Sequence, residues 1–197
     1  PKGVIEQATL AYPGLRVINE PLFPTLISFI CSATTSVSRI HGFVQKMCTH
    51  YGDSEIIGSR EYAAFPTVDQ LESVTESELR GLELGMRAER IVKTVEAIQA
   101  RSPPLTPLPS DLDEARAHLQ EYYGVGSKVA NCSLLYSGSC DSPVPVDTWI
   151  NQAVEKYYPE FSDLSNQEIG HKLEDLYGEY AGHAQLYLFH YMRDAEN

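Results

Sequence analysis

The sequence is short of positive charge: 15 Lys and Arg stand against 27 Asp and Glu in 197 residues, a formal net charge of −12. Taken alone, that balance argues against a nucleic-acid partner, because phosphate neutralisation calls on Lys and Arg. The argument reaches side chains only, since backbone amides bind phosphate without any side-chain charge. Cysteine is scarce as well. Cys31, Cys48, Cys132 and Cys140 include no pair at CxxC spacing, which argues against a zinc or iron–sulfur site. Nothing extracellular licenses a disulfide framework, so reduced thiols and an intracellular setting are expected. The six histidines show no ligand spacing with acidic partners, and no metal is expected. No apolar run reaches the ~18–20 residues of a membrane span. The longest, Leu22 to Ala33, is broken by Pro24, Thr25 and Ser28. The chain opens without a basic segment leading into an apolar one, so no secretory signal is expected, and a start at Pro1 points to trimming.

What is present suits a folded, helical protein. The chain is 43% hydrophobic with six Phe, twelve Tyr and one Trp, enough for a core in one unit or two small ones. Val37, Ile40, Val44, Met47 and Cys48 make one apolar helical stripe, with Thr34, Thr35 and Ser36 before it as caps. Thr75 and Glu78 have capping-box spacing, as do Ser165 and Glu168. Ala88, Ile91, Val92, Val95 and Ile98 mark a further amphipathic helix, and the Pro-rich stretch Ser102 to Ser110 a stiff connector. A helix from Leu112 ends at Tyr123-Gly124-Val125-Gly126, and another follows from Ser127 to Tyr136. Pro143-Val144-Pro145-Val146-Asp147 is extended and Asp147 caps the next helix. The last helix runs from about Tyr180 to Met192, and alternating strand patterns are nearly absent.

The chemistry centres on Gly124-Val125-Gly126-Ser127-Lys128, with Asp147 downstream. Glycine permits the tight left-handed turn and Val125 can plug it into the core. The helix that follows offers its first amides, at Gly126, Ser127 and Lys128, to an anion such as a DNA phosphate. This is a helix-hairpin-helix pattern, and it removes much of the force of the negative charge. A GxG between helices is also an ordinary turn, and Asp147 an ordinary N-cap. Two features favour chemistry. Lys128 sits in a first helical turn, where the dipole disfavours the protonated amine, and a nucleophilic lysine attacks as the neutral amine. Asp147 adds a carboxylate, and the pair suits attack on a sugar anomeric carbon, the carboxylate offsetting positive charge as the base departs.

Five segments in order carry a family resemblance over nearly the whole chain: Leu26–Ser32 with Arg39-Ile40, Leu84–Ala88, Gly124–Cys132, Val144–Asp147, and Tyr180–Gln185 with Leu188-Phe189. The sequence resembles the 8-oxoguanine DNA glycosylase/AP lyases of the helix-hairpin-helix superfamily. The resemblance implies an all-α fold of two helical subdomains with the active site in the cleft between them. Residues 1–33 and 141–197 would form one subdomain and 34–140 the other, with the helix-hairpin-helix at about 112–136. Lys128 matches the catalytic lysine and Asp147 the catalytic aspartate. Cys132 matches a residue of the base pocket, and Gln185 and Phe189 match residues that hydrogen-bond and stack the flipped base. Gly124, Val125, Gly126 and Ser127 match the DNA-holding hairpin, and Arg39 and Arg87 the arginines that read the cytosine opposite the lesion. The implied partner is double-stranded DNA carrying 8-oxoguanine, bound by a monomer in the cytoplasm or nucleoid if the cell is prokaryotic. No cofactor is implied beyond a structural monovalent cation on the hairpin carbonyls.

Departures bear on this expectation. Thr34 stands where the long members carry Asn, and Met86 where an intercalating Tyr is usual, which predicts looser preference for the opposite base. Trp149 replaces a His that contacts phosphate, and Tyr123 a Pro. The N-terminal β-rich domain of the long members has no counterpart, which is expected of the short archaeal-type branch. The alternatives are a same-fold glycosylase for another damaged base and a non-catalytic helix-hairpin-helix DNA-binding module, which would need neither Lys128 nor Asp147. A protein-binding helical scaffold leaves the five ordered segments unexplained.

Overall fold

The stripes and capping pairs are realised as helices in a computed structural model, which describes residues 2–195. In chain order these are α1 (Lys2–Ala11), α2 (Leu22–Ile30) and α3 (Val37–Tyr51), a hairpin of β1 (Ser54–Ile57) and β2 (Arg60–Ala63), then α4 (Val68–Leu71), α5 (Glu76–Gly81), α6 (Arg87–Ala100), α7 (Leu112–Gln120), α8 (Ser127–Tyr136), α9 (Thr148–Tyr157), α10 (Asn166–Tyr177) and α11 (Ala181–Ala195). Both expected capping boxes form, Thr75 with Glu78 and Ser165 with Glu168. Ser36 caps α3 by position only: its hydroxyl lies 3.0 Å from that of Ser38 and makes no cap bond.

The antiparallel hairpin β1–β2, with Ser54 opposite Ala63 and Ile57 opposite Arg60, had no signal in the sequence. All eight of its strand residues are exposed, so no buried face imposes an alternation.

The chain falls into two compact units, one of the residues up to Glu20 together with those from Ser127, the other of Pro21–Gly126. These boundaries differ from the 33/34 and 140/141 steps expected from the sequence. α2 contacts α6 and so groups with the middle of the chain. α8 groups with the terminal helices, because Asn131 Nδ2 donates to Val144 O at 3.0 Å.

In the terminal unit, α1, α9, α10 and α11 share a core of Val4, Val146, Ile150, Val154, Tyr158, Ile169, Leu173, Leu188 and Met192. α8 has no polar face through its middle: residues 129–135 are buried without a break, as a helix covered on all sides requires. Its polar members are satisfied locally, Ser133 Oγ donating to Val129 O at 2.8 Å. The extended segment leading to α9 is held at both backbone groups of Val144. The carbonyl accepts from Asn131, and the N–H donates to Glu174 Oε1 at 3.0 Å.

α11 meets the turn before that segment at Gly182, whose N–H donates to Asp141 O at 3.1 Å. A Cβ here would lie 2.5 Å from Asp141 O and 3.1 Å from Pro143 O, and would strike Leu135 Cδ1. Two of the three obstacles are backbone, so only glycine allows the approach. Gly182→Ala should therefore destabilise the protein by about 2 kcal/mol, the cost of overpacking, lowering the Tm in a thermal melt. An unchanged Tm would show that the approach is not constrained.

Candidate active site

Lys128, Cys132 and Tyr136 stand at i, i+4 and i+8 on α8 and so share one helical stripe. The Lys128 ammonium and the Asp147 carboxylate are both near enough to act electrostatically on the Cys132 thiol. Burial pushes the Cys132 thiol up to about 11, with the Lys128 charge opposing the rise and the Asp147 charge adding to it. Cys132 is thus a neutral thiol at physiological pH. Burial also raises the Tyr136 phenol, and Cys132 and Asp147 raise it further. One locus therefore gathers an amine, a thiol, a phenol and a carboxylate. Tyr136 was not picked out from the sequence, although the four-residue spacing from Cys132 was its available signal.

Asp147 reaches this locus as the N-cap of α9. Its Oδ1 accepts from the N–H of Ile150 at 3.0 Å, and its backbone is extended at φ −120°. The ordinary reading of Asp147 as a cap is correct and is compatible with the chemical one, because the cap engages Oδ1 while the charge acts on Cys132 and Tyr136. The half-buried Trp149 follows on α9 and packs against the core of the unit.

α11 supplies the two expected base-pocket residues. Gln185 is only 5% exposed, and its Oε1 is buried with no hydrogen-bond partner. An amide oxygen left in that state costs roughly 1–3 kcal/mol unless a donor reaches it. Phe189 is half-buried against the core, with the His190 ring edge-on at 5.4 Å and the Arg193 guanidinium 5.4 Å above its own ring. It is therefore part packing residue and part surface, and a stacking ligand would have to share the ring with Arg193. Among the described residues no cluster of His, Cys, Asp and Glu is arranged to hold a metal.

The hairpin and the two arginines belong to the other unit, as far as Gly126. Gly124 has φ +81°, the left-handed turn that calls for glycine. Val125 is 6% exposed and its N–H donates to Tyr122 O at 3.0 Å, so it is the expected plug. Gly126 is exposed and Ser127 opens α8, whose first-turn amides have no acceptor within the helix itself.

Arg39 is exposed, with its guanidinium 5.8 Å from the centre of the Phe43 ring. Arg87 is in a different state from a surface base-reader: it is 8% exposed. Its Nε donates to Cys31 O at 2.7 Å, its Nη1 to Leu84 O at 3.4 Å and its Nη2 to Ala33 O. Its cation lies 5.0 Å from the Phe43 ring centre. As folded, Arg87 braces the turn that carries Thr34, a non-glycine residue at φ +49°.

Residues 27–179 match the HhH-GPD superfamily base excision DNA repair protein family. The N-glycosylase/DNA lyase OGG1 of Arabidopsis thaliana is 36% identical over 89% of this chain and 51% of its own length. The N-glycosylase/DNA lyase of Saccharomyces cerevisiae is 30% identical over 92% of this chain and 58% of its own. The chain thus spans little more than half the length of these relatives. A crystal structure of Clostridium acetobutylicum 8-oxoguanine glycosylase/lyase, in complex with dsDNA containing cytosine opposite 8-oxoG, superposes with a TM-score of 0.91 at 29% identity. It covers 99% of this chain and 67% of that one. These matches fix the family and not the short archaeal-type branch in particular. The chain belongs to the HhH-GPD superfamily of base excision DNA repair proteins.

Proposed function

We propose that the protein is a bifunctional DNA glycosylase/AP lyase that excises 8-oxoguanine from duplex DNA, where it lies opposite cytosine. The observation that carries this reading is the gathering of Lys128, Cys132 and Asp147 at one locus. The likeness to proteins named as N-glycosylase/DNA lyases supports it. The damaged nucleotide is flipped out of the stack to expose its C1′. The Lys128 amine, in its neutral form, attacks C1′. The C1′–N9 bond breaks and its electron pair leaves with the base, while Asp147 offsets the positive charge that develops on the sugar. Loss of the amine proton and opening of the sugar ring give a Schiff base between Nζ and C1′. That imine acidifies C2′–H, and removal of this proton expels the 3′ phosphate, nicking the strand.

Residues of both units serve recognition. The buried Oε1 of Gln185 accepts from a donor edge of the flipped base, Phe189 offers a ring face, and the neutral Cys132 thiol lines the pocket beside the lysine. The amides of Gly124, Gly126 and Ser127 hold the backbone, Arg39 addresses the cytosine, and Arg87 holds the Thr34 turn beside it. The reaction as proposed draws on side chains alone, with any monovalent cation at the hairpin structural. No helix among the described residues is long and apolar enough to cross a membrane. A genomic DNA substrate would place the enzyme inside the cell, acting as a monomer.

Lys128→Gln should abolish nicking of a duplex carrying 8-oxoguanine opposite cytosine while duplex affinity stays within about twofold, in a gel assay paired with fluorescence anisotropy. Nicking by that variant at the wild-type rate would remove Lys128 from the chemistry. Asn is as good an N-cap as Asp, so Asp147→Asn separates the two roles of this residue. Base release should slow by about 100-fold or more with the Tm nearly unchanged; unchanged turnover would leave Asp147 as a cap alone. Gln185→Ala should cut the preference for the damaged over the undamaged duplex by about tenfold in single-turnover rates. Equal loss on both duplexes would make Gln185 a folding residue.

A further inference from the structure

The unit of Pro21–Gly126 neutralises much of its positive charge internally. Arg80 pairs with Glu76 at 2.6 Å, Lys93 with Glu89 at 2.7 Å, Lys46 with Glu83 and Arg116 with Asp113. Arg87 is spent on three carbonyls. Arg90, on α6, is different: among the described residues it has neither an ion pair nor a hydrogen bond. It is half-buried, and its stem lies against the hairpin turn. A Cβ on Gly124 would fall 2.5 Å from Arg90 Cδ, 2.7 Å from Cγ and 2.9 Å from Nε. The missing side chain at Gly124 is therefore the space that seats Arg90.

The surroundings keep that cation uncompensated. Glu89 is the adjacent carboxylate, but it is held by Lys93 at 2.7 Å. The Lys93 ammonium lies 4.0 Å from the centre of the Tyr123 ring, which closes a three-residue clasp between α6 and the hairpin. On the hairpin the N–H of Val125 is taken by Tyr122 O, whereas those of Gly124 and Gly126 donate to nothing in the described chain. A free guanidinium whose stem lies on Gly124 thus adjoins a turn with open amides at Gly124 and Gly126, in a protein whose net charge is −12. All of these groups donate and none accepts, which matches a phosphodiester oxygen.

Resting on the duplex-DNA reading above, we infer that Arg90 is a phosphate ligand of the hairpin, adding a side-chain cation to the contact made by the Gly124 and Gly126 amides. Lys93, seated on the ring of Tyr123 where the family resemblance expects Pro, keeps Glu89 from quenching it.

The test measures equilibrium binding by anisotropy between 50 and 200 mM KCl, on a duplex with a tetrahydrofuran abasic analogue opposite cytosine. Arg90→Met keeps the stem and removes the charge. It should weaken binding about five- to tenfold at 50 mM salt and flatten the slope of log K against log salt by about 0.9. Arg90→Lys should keep the wild-type slope. Arg90→Gln repeats the test should the Met stem disturb the packing on Gly124. A wild-type slope in Arg90→Met and Arg90→Gln overturns the assignment while leaving the glycosylase reading intact. Failure of the wild-type protein to bind the duplex at all would overturn both.

Discussion

The hydrogen bond from Asn131 Nδ2 to the carbonyl of Val144 is the constraint on which the site depends. Asn131 lies one turn along α8 from Lys128, and Val144 lies three residues before Asp147 on the extended segment that enters α9. The bond therefore fixes the helix bearing the amine to the strand-like segment bearing the carboxylate. It is buried, and an unmet carbonyl there would cost roughly 1–3 kcal/mol. Glu174 holds the other backbone group of Val144 from α10. On the far side, the side chain missing at Gly182 lets α11 approach the turn at Asp141 and carry Gln185 with it. The reacting groups are thus carried by elements locked to one another through backbone groups. That is how a site keeps its geometry when its own side chains are few and polar.

Charge poses the second problem. A protein with nearly twice as many acidic as basic residues is proposed to hold a polyanion. Local distribution resolves the conflict. Many of the carboxylates are engaged, several of them at helix starts, where Glu78 and Glu168 close capping boxes and the Thr75 and Ser165 contacts hold both below the usual carboxylate range. The groups proposed to hold phosphate are amides of a glycine turn and a helix start, whose partial charges do not enter a count of side chains, joined by the guanidinium of Arg90.

Much of this was legible in the sequence because the signals are local. Capping pairs, apolar stripes and the glycine pair around Val125 each report on a few neighbouring residues; both capping boxes, the α6 stripe and the Val125 plug are realised, while the α3 stripe buries Met47 and Cys48 but leaves Val37 exposed. The i, i+4 relation of Lys128 and Cys132 follows from helix geometry alone. What stayed hidden depends on partners distant in sequence or on the lack of burial. The β1–β2 hairpin is exposed on both faces and carries no periodicity. Arg87 reads as a surface cation until Cys31 and Ala33, far back in the chain, are seen to take its donors. Gln185 reads as a polar helix residue, and only the fold shows its oxygen buried without a partner. The boundary at Gly126/Ser127 cuts through the hairpin motif. No composition shift marks it, because α8 is assigned by its packing and not by its neighbours in the chain.

The central claim is that one lysine both displaces the base and holds the sugar. It is tested most directly by borohydride trapping on a duplex carrying 8-oxoguanine opposite cytosine, beside an undamaged duplex, with the adduct mapped by mass spectrometry. The account predicts a covalent protein–DNA product with the damaged duplex only, its reduced imine on Lys128. A duplex bound without an adduct, or an adduct mapped to another amine, would contradict it.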